Sequence, residues 1–420
     1  MKRYTLTTLL LTLATAAFAQ GKVYTLKQCI ETGLERNYSI RIVRNEQVIS
    51  QNNATPGNAG LLPSVDLSGG VSGSGDAAAG NASVNLNWTI FDGFGIQADY
   101  ARLKELRSMG ELNTRMAVED FIAGISGEYY NLIRQKTRLS NLTSTLALSR
   151  ERLRIVEERY FIGSMSRLDL QQAQVDFNAD SSAVLNQFEV VHRSRTYLNR
   201  LMAIDNVEEP VMLGDSVIRP NIFLDEAELW RQTMDTNVSL LIARKNVRLS
   251  GLDLRKAKSR NYPYLRLNAG YGLSATWTGV DNVTTGLNYG LTVGFNIFDG
   301  FNKRREQRNA RINIENNDLM RQDLELSLRT DMSNQWMAYE NNLNLWNLEK
   351  ENLVAAQENF RIAIERYRLG DLSGIQLREA QNSLLNAEER QSIAEFATKL
   401  CEISLLQLSG QIYNYLNPAE

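Results

Sequence analysis

The sequence predicts an α+β membrane protein in which long coiled-coil helices carry a few strands of a β-barrel shared between copies. Three observations predict it. The chain is internally duplicated, each copy holds two stretches of period-two hydrophobicity, and each then runs for about 65 residues in a helical pattern without proline.

The duplication rests on matched blocks at a constant offset. Ile90-Phe91-Asp92-Gly93-Phe94 returns as Ile297-Phe298-Asp299-Gly300-Phe301, and Glu158-Arg159-Tyr160-x-x-Gly163 returns as Glu365-Arg366-Tyr367-x-x-Gly370, both shifted by 207 residues. Ala173-Gln174 and Ala380-Gln381 keep the same shift, whereas Asn37 and Pro63 match Asn237 and Pro263 at a shift of 200. The second copy therefore carries seven extra residues between Pro263 and Phe298.

The N-terminus reads as a secretory leader over residues 1–19. Lys2 and Arg3 precede an apolar stretch from Leu9 to Ala17, and Ala17-Phe18-Ala19 is a small-x-small cleavage site. The apolar stretch is too short to span a bilayer as a helix. Removing the leader takes Lys+Arg from 46 to 44 against 48 Asp+Glu, a net charge of −4 with mixed signs, which argues against nucleic acid as a partner. Cys29 and Cys401, the only cysteines, suit an oxidising compartment and leave open either a disulfide or two packed thiols.

Each copy then follows one order of elements. Thr25-Leu26-Lys27-Gln28 reads as a capping box, Asp225 to Glu228 occupies the equivalent place, and Asn37 and Asn237 break the short helix that follows. Strands are expected at about 63–73 and 82–91 in the first repeat, 20–203, and at about 263–278 and 286–298 in the second, 225–409. Residues 204–224 link the repeats, and 410–420 form a tail. Leu265, Leu267, Ala269, Tyr271 and Leu273 alternate with polar residues, as do Val84, Leu86, Trp88 and Ile90. The helical runs show a seam at spacings of three and four (Leu353, Ala356, Phe360, Ala363, Tyr367), and at about 1.5 Å per residue each helix is roughly 100 Å long. Gly163 and Gly370 sit where a left-handed cap closes each helix before a returning one.

Four alternating strands fit a membrane barrel but cannot close one, since about eight is the practical minimum. Two chains would supply eight strands and three would supply twelve, and a monomeric porin is excluded. Trp88, Phe91, Tyr264, Trp277 and Phe298, with Tyr262, are placed to form interfacial aromatic belts against membrane lipid.

Enzymatic chemistry finds no footing. His192 is the single histidine, so neither a histidine-based triad nor a multi-histidine metal site is available. Gly73-Ser74-Gly75 lacks the third glycine and the helix of a dinucleotide site. No cofactor is expected.

The tandem order of elements resembles the TolC family of outer-membrane efflux proteins. The residues carrying the resemblance are Leu61-Leu62-Pro63, Asn87-Trp88-x-Ile90-Phe91-Asp92-Gly93-Phe94, Arg159-Tyr160-x-x-Gly163 and Arg366-Tyr367-x-x-Gly370, and it covers Thr25 to Leu408. It implies a homotrimer with a twelve-stranded barrel on a helical tunnel, girdled by the inter-repeat linker. It also implies a passive exit duct for small molecules in a tripartite system with a periplasmic adaptor and an inner-membrane pump. The turns holding Arg159, Tyr160, Gly163, Arg366, Tyr367 and Gly370 would be the docking tips, and Asp169, Tyr367, Gln376 and Glu379 would lie at the periplasmic aperture. One departure stands out: Leu372 occupies the position where the family pattern expects an arginine. Two other readings stay open, a type I protein secretion duct and a periplasmic coiled-coil scaffold without a pore.

Overall fold

The computed structural model describes residues 23–75, 77–277 and 281–416, so the leader expected at 1–19 and the last residues of the tail lie outside the described part. The elements in chain order are β1 (Val23–Tyr24), α1 (Leu26–Arg36), α2 (Tyr38–Asn53), β2 (Ser64–Ser74), β3 (Ala77–Phe91), α3 (Gly95–Phe161) and α4 (Arg167–Leu201). They continue as β4 (Met212–Leu213), α5 (Glu226–Thr236), α6 (Val238–Ser259), β5 (Tyr264–Trp277), β6 (Asp281–Gly294), α7 (Asn302–Leu369) and α8 (Gly374–Leu408), with a short 3-10 turn at Ile412–Tyr415. The two long helices have 67 and 68 residues. Among the described residues no helix is long and apolar enough to cross a membrane.

Two strand bounds differ from the sequence reading. β3 begins at Ala77, five residues before the expected 82, because Ala77 to Asn81 pair with β2 although alanine and glycine carry no alternation to read. β6 spans Asp281–Gly294, not 286–298. The alternation continues through Phe295 and Ile297, but β5 starts at Tyr264, opposite Gly294, and offers no further partner.

Contacts divide the chain into two compact units, neither of which is one repeat. The first takes described residues up to Arg41, Ala117–Asn237 and those from Leu328 on; the second takes Ile42–Met116 and Val238–Ser327.

The first unit has its core around Ile30, Ile122, Ile125, Tyr129, Leu132, Leu198 and Met202, with Cys29 fully buried among them as a free thiol; Cys401 is also free. Burial raises the Cys29 thiol to about 12. Thr25 makes its capping box with Gln28. Asn37 does more than break the helix: its Oδ1 accepts from Ser39 N (2.9 Å) and its amide donates to Leu201 O (3.0 Å). Asn237 donates in the same way to Leu408 O (3.0 Å). The inter-repeat linker is tied to α8 by Lys399 and Glu402, both nearly buried. Lys399 Nζ donates to Arg219 O (3.1 Å), and Glu402 accepts from Asn221 N (2.7 Å) and Tyr415 Oη (2.9 Å).

The second unit holds an antiparallel sheet in the order β2-β3-β5-β6, so β2 and β6 are its free edges. The register places Val65, Leu67, Val84, Leu86, Trp88, Leu265, Leu267, Tyr271 and Leu287 on one face, and Asp66, Ser83, Asn85, Asn87, Asn268 and Asn288 on the other. That strict division follows from period-two side-chain alternation. The Asp-Gly-Phe motif explains the switch from strand to helix. Gly93 and Phe94 (φ 74° and 73°) and Gly300 and Phe301 (φ 69° and 67°) are all left-handed, turning the chain sharply. Asp92 Oδ1 then accepts from Ile96 N (3.0 Å) and Asp299 Oδ2 from Lys303 N (2.9 Å), capping the long helices.

Candidate functional site

Both hairpin tips close by the same local chemistry. Gly163 (φ 77°) and Gly370 (φ 88°) end α3 and α7 in left-handed geometry. Gly163 N donates to Tyr160 O and Ser164 N to Arg159 O, each at 2.9 Å; Gly370 N donates to Tyr367 O and Asp371 N to Arg366 O, at 3.1 and 2.9 Å. This pair of bonds is a Schellman cap, which satisfies carbonyls that the helix end would otherwise leave bare. Ser166 and Ser373 then open the returning helices with capping boxes.

The tips differ in what they expose. In the first, Phe161 (85%), Ile162 and Leu168 are open to solvent and Tyr160 is partly so. In the second, Leu369 and Ile375 are exposed while Tyr367 is buried (4%) against Ala363, Leu377 and Ala380, with Leu372 packed beside it. Leu372 thus fills an apolar cluster where a charged side chain was expected. The Tyr367 hydroxyl finds no hydrogen-bond partner among the described residues, and burial raises its phenol, countered by Arg152 and Arg159 nearby.

Two of the residues expected at the aperture have capping work to do. Asp169 accepts from Ser166 N (3.2 Å) and from Ser166 Oγ (2.7 Å), and Gln376 accepts likewise from Ser373 N and Oγ (both 3.1 Å). Glu379 is exposed. Asp169 and Tyr367 are electrostatic neighbours but do not bond.

About two to three turns beyond Asp169 in α4, and within about the first two turns of α8, lies a feature that the sequence reading missed. Arg152 of α3 pairs with Asp176 of α4 and donates to Gly374 O (3.3 Å). Arg378 of α8 grips Asp180 of α4 with two bonds, Nη1 to Oδ2 at 2.7 Å and Nη2 to Oδ1 at 2.8 Å, and lies 4.0 Å from Asp176. Ser149 of α3 also donates to Asp180, and Gln381 of α8 reaches Thr145 O (3.1 Å). The hydrogen-bonded carboxylate holds the Arg378 guanidinium above its ordinary range. Arg152, Asp176, Asp180, Ser149 and Gln381 are all buried and Arg378 is partly so, and two arginines and two aspartates tie three helices together. The signal was present in the sequence. Leu142, Thr145, Ser149, Arg152 and Val156 follow the three-four spacing of a coiled-coil seam, and polar residues at such positions fix register and partner.

The aromatic residues separate by face. Trp88 and Trp277 stand on the apolar face. The Trp88 indole is anchored to Leu61 O (3.1 Å), and the Trp277 ring lies over Gly80. Phe91 joins that face through a register shift after Thr89 and packs edge-on against Phe94 (5.1 Å). Phe298, exposed beyond the end of β6, packs the same way on Phe301 (5.3 Å). Tyr264 stands apart from these: it shares the polar face with Arg266 and Asn268, two and four residues on. Its parity in the strand, more than its aromatic character, decides where it points.

Comparison with known proteins agrees with this architecture. The model of the family described as outer membrane efflux protein matches residues 29–203 and 229–411. Among solved structures, a membrane protein from Pseudomonas aeruginosa superposes with a TM-score of 0.77 at 16% identity, covering 92% of this chain and 93% of the other. The Campylobacter jejuni CmeC outer membrane channel gives 0.79 at 14% identity, covering 92% and 85%. The Neisseria gonorrhoeae MtrE outer membrane channel in its open state gives 0.76 at 16%, covering 92% and 88%. No curated protein sequence matches the chain significantly. With both repeats matched by one family and the whole fold shared with channels, the chain belongs to the outer membrane efflux protein family: it is an outer-membrane channel protein reaching into the periplasm, and not an enzyme.

Proposed function

We propose that three copies close a twelve-stranded barrel and together form the passive exit duct of a tripartite efflux system for small molecules. The sheet carries this reading. It has four strands, two free edges, one apolar face and one polar face, and open edges of that kind in a membrane must pair with another copy. Trp88, Phe91, Trp277 and Phe298 would meet lipid headgroups, and Tyr264 would face the lumen. The sequence repeats, 20–203 and 225–409, would each contribute one strand pair and one helical hairpin, with the linker 204–224 as a girdle.

The tips would dock a periplasmic adaptor joined to an inner-membrane pump. Arg159, Tyr160, Gly163, Arg366, Tyr367 and Gly370 shape these tips, and the exposed Phe161 and Ile162 give the first an apolar anchor. At the aperture, Glu379 is the stronger candidate for a ring of carboxylates around a three-fold axis, since Asp169 and Gln376 are engaged in capping. We assign the latch that keeps the hairpins together to Arg152, Asp176, Arg378 and Asp180, since Leu372 stands where the family pattern expects an arginine.

The test is the native mass of the particle extracted in detergent from the outer membrane. Three chains per particle are expected, and a monomer would overturn the shared barrel and the duct with it.

A further inference from the structure

The polar face of the sheet is almost free of charge. Its described side chains are Asn, Ser, Thr, Gly and Ala, apart from Tyr264, Asp66 on β2 and Arg266 on β5. Asp66 is occupied by Ser64 Oγ (3.2 Å) and Asn87 Nδ2 (3.4 Å). Arg266 pairs with no carboxylate among the described residues; it is exposed, and its guanidinium lies over the Tyr264 ring at 4.6 Å.

Arg266 and Tyr264 line a cavity of about 570 Å³ at the helix end of β5, together with Lys303, Asn296, Arg260 and Lys256. Acidic residues also border it, but each has its own partner. Asp92 caps α3, Asp253 pairs with Arg102, and Glu306 pairs with Arg260. Lys256 is satisfied by Asp99 (2.9 Å). Of the cations lining the cavity, Arg266 and Lys303 have no carboxylate partner among the described residues, and the Lys303 ammonium donates to Asn296 O (2.5 Å).

We propose that this cavity is an anion-binding way station on the exit path, taking carboxylate, sulfonate or phosphate groups between Arg266 and Lys303. The proposal rests on the reading that the polar face lines the duct. Repeated in each copy, the site forms a cationic collar on a barrel face that carries Asp66 as its other described charge, which concentrates anionic cargo and repels cations there. The Arg266 guanidinium lies over the Tyr264 ring, a contact that uses none of its N–H donors and leaves them for an anion's oxygens.

The experiment uses the full chain in planar bilayers, measuring the reversal potential in a KCl gradient and block by added citrate, with citrate binding to the detergent-solubilised protein followed by calorimetry. Arg266→Gln is expected to shift the reversal potential toward cation selectivity and to weaken citrate block and binding by about tenfold, the effect of one lost charge-assisted contact. Arg266→Lys should keep most of the selectivity. Equal reversal potential, block and binding in wild type and Arg266→Gln would overturn the site. If neither the wild type nor an Asp180→Asn variant conducts, the duct reading falls, and calorimetry alone decides the site in the same two directions.

Discussion

Asp180→Asn probes the buried network at its tightest link. The Arg378 fork donates two bonds to Asp180, with only 18% and 9% of the two side chains exposed. Breaking a buried pair costs about 3–5 kcal/mol, because the surviving charge is left without compensation. Here Arg378 keeps Asp176 at 4.0 Å and some access to water, so the cost falls to about 2 kcal/mol. If the network holds the hairpins shut, that energy moves the closed-to-open equilibrium by about 30-fold. Conductance in planar bilayers should therefore rise for Asp180→Asn and for Arg378→Gln. The double variant should add little beyond the larger single effect, since both changes remove the same interaction. Melting temperature in detergent, measured in parallel, separates gating from simple stability. Unchanged conductance in both single variants with a lowered melting temperature would refute the latch and leave the network a purely structural tie.

Two further outcomes follow from the same region and the wall beyond it. Tyr367→Phe should leave both stability and conductance unchanged, because the hydroxyl it removes has no partner; a clear rise in conductance would restore that tyrosine as a latch. Glu395 of α8 is raised to about 7 by burial, against the opposing effect of Lys350. Its folded pKa lies above the unfolded value near 4.5, so the folded chain holds the proton more tightly and stability falls as pH rises from about 4.5 to 7. Glu395→Gln should match wild type near pH 4 and melt higher at pH 8; equal melting curves at pH 8 would refute the assignment.

What the sequence revealed was mostly local. The Asp-Gly-Phe blocks and the tip glycines are backbone chemistry confined to a few neighbouring residues, so their repetition at a fixed offset could be read directly. The latch was harder because it joins residues such as Asp180 and Arg378, 198 positions apart, and no spacing within one helix reveals which partner a buried charge will meet. Ser149 and Arg152 were nonetheless visible as polar residues in a coiled-coil seam. Tyr264 shows another limit, since its ring chemistry suggested a belt while its parity places it on one face with Arg266 and Asn268. The early start of β3 was hidden because Ala77 to Ala79 have no polar neighbours to alternate with.

The paired asparagine hooks bear on how such a chain comes to exist. Asn37 reaches 164 residues forward to the last carbonyl of α4, and Asn237 reaches 171 residues forward to the last carbonyl of α8. Each copy thus fastens its own beginning to its own end before the next copy starts. A segment sealed in this way can be copied head to tail without stranding a loose terminus in either product. The same seal lets the first copy, emerging from export ahead of the second, fasten its start to its end, while the edge of β3 and the carboxylate of Asp180 wait for their partners in the second copy.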